Sequence, residues 1–329
     1  MIVQEEGEED HMNQVRTDLA LEENERIQKN QEHTKGIRVE EKALSSEDIR
    51  ITAVHIETEN AAKQMGKPKG TYITLEASAM SQPDERGHRE VSIQLAHVLR
   101  KMLPQKKGKL SVLIAGLGNR MVTPDALGPQ TVEHLCITRH MIREFGPYAY
   151  ENPDTPYISS IVPGVMGQTG METVEIIRGI VENIQPDVLV VIDALAARSA
   201  KRLGRTIQIT DTGINPGSGV GNHRNSITKD TIGIPVIAIG IPTVVEAATI
   251  VNDSMNRLVD ALSESDSLKI LGNSWNALDE AQQRELVREL LSPQLNNLFV
   301  TPKDIDASIE EMSFTVAEGL NIAFLGQVS

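Results

Sequence analysis

The chain of 329 residues is poor in several things, and each scarcity removes a class of protein. It has one cysteine, Cys136, so no disulfide can form within the chain and a reducing compartment fits. Aromatic residues are 3% of the total, so any core must be aliphatic, built from Ile, Val, Leu, Ala and Met. No apolar run reaches the roughly 18 residues of a membrane span. The segment Met1–Asp10 carries five acids and no Lys or Arg, the reverse of a secretory signal. Basic charge is also short: the net charge is -14, which argues against a nucleic-acid-binding surface. A cytoplasmic protein with neither nucleic-acid nor membrane partners is expected. What the chain does have is 40% hydrophobic residues, enough to bury the core of one large or two ordinary domains.

The first 18 residues lack apolar periodicity and read as a mobile arm, with residues 19–329 as a single α/β domain. Ile49–Ile56 and Gly70–Leu75 have strand character. Val91, Leu95, Val98, Leu99 and Met102 share one helical face. Leu110–Ala115 reads as a buried strand, Val132–Phe145 as one helix containing a packed Cys136, and Tyr157–Val162 as a strand. Thr169 and Glu172 have capping-box spacing ahead of a stripe of Val174, Ile177, Val181 and Ile184. Val188–Ile192 is the strongest strand, with Asp193 at its end. Thr206–Thr210 and Pro235–Ile241 follow, then a helix with the stripe Val251, Met255, Leu258 and Leu262. Two further helices are expected near Ala277–Leu291 and Asp304–Phe324. Strands alternating with helices imply a mostly parallel sheet covered on both faces, with function at the carboxyl ends of the strands.

Three polar or glycine-rich segments sit at such ends: Gly116–Pro129, Asp193–Arg198 and Gly213–Asp230. Gly116-Leu117-Gly118 resembles a dinucleotide fingerprint, but Met121 stands where a third glycine belongs, and a tight turn is the simpler reading. Asp125 and Asp193 each follow a buried strand. Each could be a cap or turn residue. If the two strands are neighbours, both carboxylates face one cleft. A close carboxylate pair resists double ionisation, so one member can hold a proton while the other acts as a base on water. The same pair could begin a divalent-metal site with His223 as a third ligand, giving a metal-dependent hydrolase. A non-enzymatic ligand-binding module using the glycine-rich loops is a further alternative. Arg120, Arg198 and Arg224 flank the loops, either as ordinary surface charge or as groups binding acidic side chains and developing oxyanions. No G-x-S-x-G elbow and no H-E-x-x-H spacing is present.

Several segments together resemble the germination (spore) protease family. They are Gly116–Asn119, Thr123–Pro129, Val162–Gly170, Asp193–Arg198, Asn215–Arg224 and, near the start, Val15–Ala20. The similarity runs from about residue 13 to the C-terminus. It implies an α/β fold similar to that of hydrogenase-maturation proteases, with extra helices. It also implies an atypical aspartic-type endopeptidase without a cofactor or stable metal, in which Asp125 and Asp193 are catalytic; Arg120, Arg198, His223 and Arg224, on or beside the same loops, are the expected substrate-binding residues. It implies a zymogen made in the forespore that removes its own short propeptide, assembles as a homotetramer and degrades small acid-soluble spore proteins during germination. Thr17-Asp18-Leu19-Ala20-Leu21-Glu22 is similar to the family's Thr-Glu-(Phe or Ile)-Ala-Ser-Glu substrate site, with Asp for Glu. Cleavage between Asp18 and Leu19 is therefore expected. The acidic stretch before Asn13 has no counterpart in that resemblance.

Overall fold

The residues Val188 to Ile192 are all fully buried, which a strand achieves only when flanked by other strands and covered on both faces. In the computed structural model this segment is the middle of a nine-stranded sheet. The structure describes residues 17–29, 35–44, 49–146, 148–217, 225–263 and 298–326, with positions 275, 278, 282, 283 and 286. The strands are β1 (Ile37–Leu44), β2 (Ile49–Ile56), β3 (Gly70–Ala77), β4 (Ser111–Gly116), β5 (Tyr157–Ile161), β6 (Val188–Ala197), β7 (Thr206–Thr210), β8 (Val236–Glu246) and β9 (Phe299–Val300). Their order is β1-β2-β3-β7-β8-β6-β4-β5, with β9 pairing the end of β8. The centre, β8-β6-β4-β5, is parallel, and β1, β2, β3 and β7 extend it antiparallel on one side.

The helices are α1 (Ala20–Lys29), α2 (Glu59–Met65), α3 (Glu85–Met102), α4 (Leu127–Glu133), α5 (Arg139–Phe145), α6 (Met166–Thr169), α7 (Thr173–Ile184), α8 (Lys229–Ile232), α9 (Ala247–Ser263) and α10 (Ile305–Leu325). Alternate residues of the central strands feed two cores. Val112, Ile114, Val190, Ile192, Ile207 and Ile239 pack with Leu95 and Leu99 of α3 and Val316 and Leu320 of α10. Leu113, Ala115, Leu189, Val191 and Ala238 pack on the opposite face with Val174, Ile177 and Val181 of α7. Over β2 and β3, α1 and α2 add a third cluster around Val54, Met65 and Tyr72.

Several local readings change. Val132–Phe145 is two helices. Thr138 breaks the run: its hydroxyl donates to the Pro156 carbonyl, its Oγ1 accepts from Ile158 N at 2.9 Å, and its own N–H donates to Ile158 O. Tertiary bonds to the start of β5 thus outweigh helix periodicity, and Cys136 falls in the connection, exposed and non-helical. Glu172, not Thr169, begins α7, with the Glu175 carboxylate accepting from Glu172 N at 2.9 Å. In α9 Val259 is buried, while Leu258, expected on the apolar stripe, is 53% exposed. β1, a charged edge strand, was not legible from hydrophobic alternation. The helix expected near Ala277–Leu291 lies mostly outside the described residues.

Candidate functional site

β6 does not stop at Asp193. Ala194 to Ala197 continue the strand because β8 runs on beside them to Glu246. β4 ends at Gly116, opposite Ile192, so β6 outlasts this neighbour from Asp193 onward. The chain leaves β4 toward β5 on one flank and returns to β6 on the other. The mouth between the two strands is therefore a topological switch point, where open α/β sheets form clefts. A cleft of about 320 Å³ opens there, and its walls include Asp125, Asp193, Asp18, Gly118, Asn215 and Thr243.

Glycine makes the approach of Asp125 possible. Gly118 has φ +109, and a Cβ on it would lie 2.0 Å from the Asp125 carbonyl oxygen and 2.9 Å from Oδ1. Asp125 lies in a 3₁₀ turn, Thr123–Asp125, and its Oδ2 accepts from Asn119 N at 2.8 Å. It does not cap α4, whose N-cap is Ala126 and has no side-chain cap bond. A β-bulge fixes the turn from behind. β8 inserts Thr243 between Pro242 and Val244, which pair with Leu195 and Ala196. The freed Thr243 hydroxyl donates to Pro124 O at 2.7 Å, and Thr301 donates to Thr243 O at 2.9 Å. Asp193 is 5% exposed, and its Oδ1 accepts from Ala194 N at 3.0 Å.

Asp18 lies in the same cleft. Its N–H donates to Ala196 O at 3.0 Å and its Oδ2 accepts from Ala196 N at 2.9 Å, so its backbone and its side chain together hold Ala196 near the end of β6. The following Leu19 is fully buried against Leu195, Ala197 and Ile214. The segment is anchored through α1. The Glu22 carboxylate accepts from Arg198 N at 2.7 Å and Ser199 N at 3.0 Å and takes the Thr17 hydroxyl. Arg202, in turn, binds Glu22, Glu25 and Glu76.

The structure therefore brings Asp125, Asp193, Asp18 and Leu19 together. Arg120 is exposed and paired with Glu133 of α4, and Arg198 takes part through its backbone N–H; neither side chain lines the cleft. His223 and Arg224 lie outside the described residues, although Asn215, at the start of their loop, reaches the cleft wall. Among the described residues, no group of three His, Cys, Asp or Glu is arranged to hold a metal ion. Nor is any described helix long and apolar enough to cross a membrane. Gln208 and Thr243 escaped the sequence reading. Gln208 carried a signal: a long polar side chain inside Thr206–Thr210, a strand apolar enough to be buried, must find partners.

The family model for germination protease matches residues 15–266 and 258–329. Relatives named germination protease are 44% identical in Caldanaerobacter subterraneus subsp. tengcongensis, over 94% of both chains, and 45% identical in Clostridium perfringens, over 95% of both. One in Bacillus mycoides is 42% identical over 95% of this chain and 94% of its own. Among solved structures, a NiFe hydrogenase maturation protease from Thermococcus kodakarensis matches 44% of this chain and 80% of its own, at 22% identity and a TM-score of 0.28.

Proposed function

Because the chain belongs to the germination protease family, we propose that it is the precursor of an endopeptidase that uses Asp125 and Asp193 to activate water. In this reading it first cuts its own Asp18–Leu19 bond and then degrades small acid-soluble spore proteins in the germinating spore. The observation that carries the reading is the placement of Asp18, docked on β6 in the cleft walled by both aspartates. Thr17-Asp18-Leu19-Ala20 is a substrate-like sequence, and Asp18 is tied to Ala196 of β6 by two hydrogen bonds just before α1 begins at Ala20.

The chemistry needs no covalent enzyme intermediate. One carboxylate takes a proton from water as the water oxygen bonds to the Asp18 carbonyl carbon. The carbonyl π electrons move to oxygen. The tetrahedral species then collapses, the C–N bond to Leu19 breaks, and the leaving nitrogen takes a proton from the carboxyl partner. Burial of Asp193, which lies in β6 one residue past the end of its pairing with β4, favours such proton sharing over full solvation of both groups. The forespore location and the homotetramer belong to the same proposal and rest on the family resemblance.

The test uses the full-length chain with Asp125→Asn, Asp193→Asn and the double change. Each single change is expected to slow self-processing by about 10²–10⁴-fold, and the double change to add little, since members of one catalytic unit are non-additive. Folding should persist in all three. Near-normal processing by a folded Asp193→Asn chain would return both aspartates to structural roles.

A further inference from the structure

The bond proposed to be cut is gripped by a residue outside the aspartate pair. Gln208 lies in the middle of β7 and is 7% exposed. Its Nε2 donates to the Asp18 carbonyl oxygen at 2.9 Å, and its Oε1 accepts from Ala20 N at 2.7 Å. The two bonds fix the orientation of the amide, since exchanging N and O would break both. One side chain thus spans the Asp18–Leu19 peptide bond, holding the carbonyl on one side and the next N–H but one on the other.

Strand register explains why a glutamine of β7 reaches the same peptide as the aspartate of β6. Gln208 pairs with Gly240 of β8, and Gly240 pairs with Asp193. The three residues form one row across adjacent strands, so Gln208 and Asp193 project from the same face, about 10 Å apart at the backbone. Glycine at the middle position admits Leu195, which a Cβ on Gly240 would approach to 2.5 Å. Leu195 in turn forms the floor on which Leu19 packs. Asp18 lines both the aspartate cleft and a smaller cavity of about 70 Å³ walled by Gln208, so the peptide lies between the two polar groups.

We propose that Gln208 is the oxyanion donor for the Asp18–Leu19 bond and sets its register. This rests on the self-processing reading above. When water adds to the Asp18 carbonyl carbon, the electron pair displaced from the C=O bond settles on the oxygen that already accepts the Gln208 N–H. That bond strengthens as charge develops, which is the condition for accelerating the step.

The experiment compares the full-length wild type with Gln208→Met, Gln208→Glu and Gln208→Asn. The appearance of a chain beginning at Leu19 is timed by mass spectrometry, and thermal unfolding reports whether each variant is folded. Methionine removes donor and acceptor together. Glutamate keeps the acceptor for Ala20 N–H and lacks the amide donor. Asparagine keeps the amide but withdraws it by one methylene, so the test survives if the first two fail to fold. The folded variants are expected to process about 10²–10³-fold more slowly, with methionine, which loses both bonds, at least as slow as glutamate. A folded Gln208→Glu chain processing at the wild-type rate overturns the donor role, since a register clamp alone needs only the acceptor. Wild-type rates in Gln208→Met overturn both roles. If the wild-type product begins at a residue other than Leu19, the processing site itself is wrong and the inference falls with it, a result distinct from slow variants of a correctly cut chain.

Discussion

Adding one methyl group at Gly116 should separate the two halves of the cleft. Gly116 closes β4, and a Cβ built there would lie 2.2 Å from the Gly128 carbonyl oxygen, 2.5 Å from its carbon and 2.8 Å from Val132 Cγ2. The first two contacts are backbone of α4, which no rotamer change relieves. Gly116 is not among the residues with positive φ, so the penalty comes from overlap rather than from backbone conformation. Relief requires α4, and the turn carrying Asp125 ahead of it, to move off β4 by on the order of 1 Å. Overpacking of this kind costs about 1–3 kcal/mol. A displacement of that size at a reacting group costs about 10²-fold in rate. Gly179→Ala provides the matched control: it lies within α7, is exposed, and an added Cβ meets nothing within 4 Å. There alanine should stabilise by roughly 0.5–1 kcal/mol through helix propensity and leave the rate unchanged. Urea unfolding and self-processing of both variants decide the matter. If Gly116→Ala unfolds at the wild-type urea concentration and processes at the wild-type rate, the helix–strand contact does not position Asp125.

Two further outcomes follow from the anchoring of the N-terminal segment and from Tyr72. Arg202 is largely buried. Burial opposes its charge, but its hydrogen bond to Glu25 and the charges of Glu25, Glu22 and Glu76 outweigh that and hold its pKa above the ordinary arginine value. Arg202→Met leaves carboxylates without their cation and should cost about 3 kcal/mol, at the lower edge of the range for a broken buried pair because Glu25 is half-exposed; urea unfolding measures it, and a loss below about 0.5 kcal/mol would refute the anchoring. The Tyr72 phenol is pushed up to about 12 by burial, while its hydroxyl donates to Pro68 O at 2.9 Å. The unfolded chain loses this proton near pH 10 and the folded chain keeps it, so stability should be unaffected below pH 10 and fall between pH 10 and about 12. Tyr72→Phe should flatten that part of the stability profile, and an unchanged slope would show that other groups cause it.

The sequence by itself determined the class of architecture and the two carboxylates. Short, wholly apolar runs such as Val188–Ile192 leave few alternatives to a central strand. The stripe Val174, Ile177 and Val181 leaves few to a helix lying on the sheet, and the structure buries all three. Asp193 is conspicuous as a charge placed directly beyond such a run, and Asp125 as a charge in the glycine-rich segment that follows another. Their meeting could only be conditional in the sequence, because it depends on β4 and β6 being neighbours, and strand order is set by long-range pairing that no local pattern encodes. The same limit hid where β6 ends. Ala194–Ala197 is unremarkable as sequence and becomes strand because β8 continues beside it. Thr138 behaves likewise, since bonds to β5 stop a helix that periodicity would extend. Gln208 marks the boundary most clearly. Its polarity within an apolar strand announced that it must be satisfied, but its partners, Asp18 O and Ala20 N, lie 190 and 188 residues away. Only the folding of the N-terminal segment across the end of the sheet turns a buried amide into a grip on one peptide bond, because hydrogen-bond geometry is a property of positions in space and the sequence supplies only the groups.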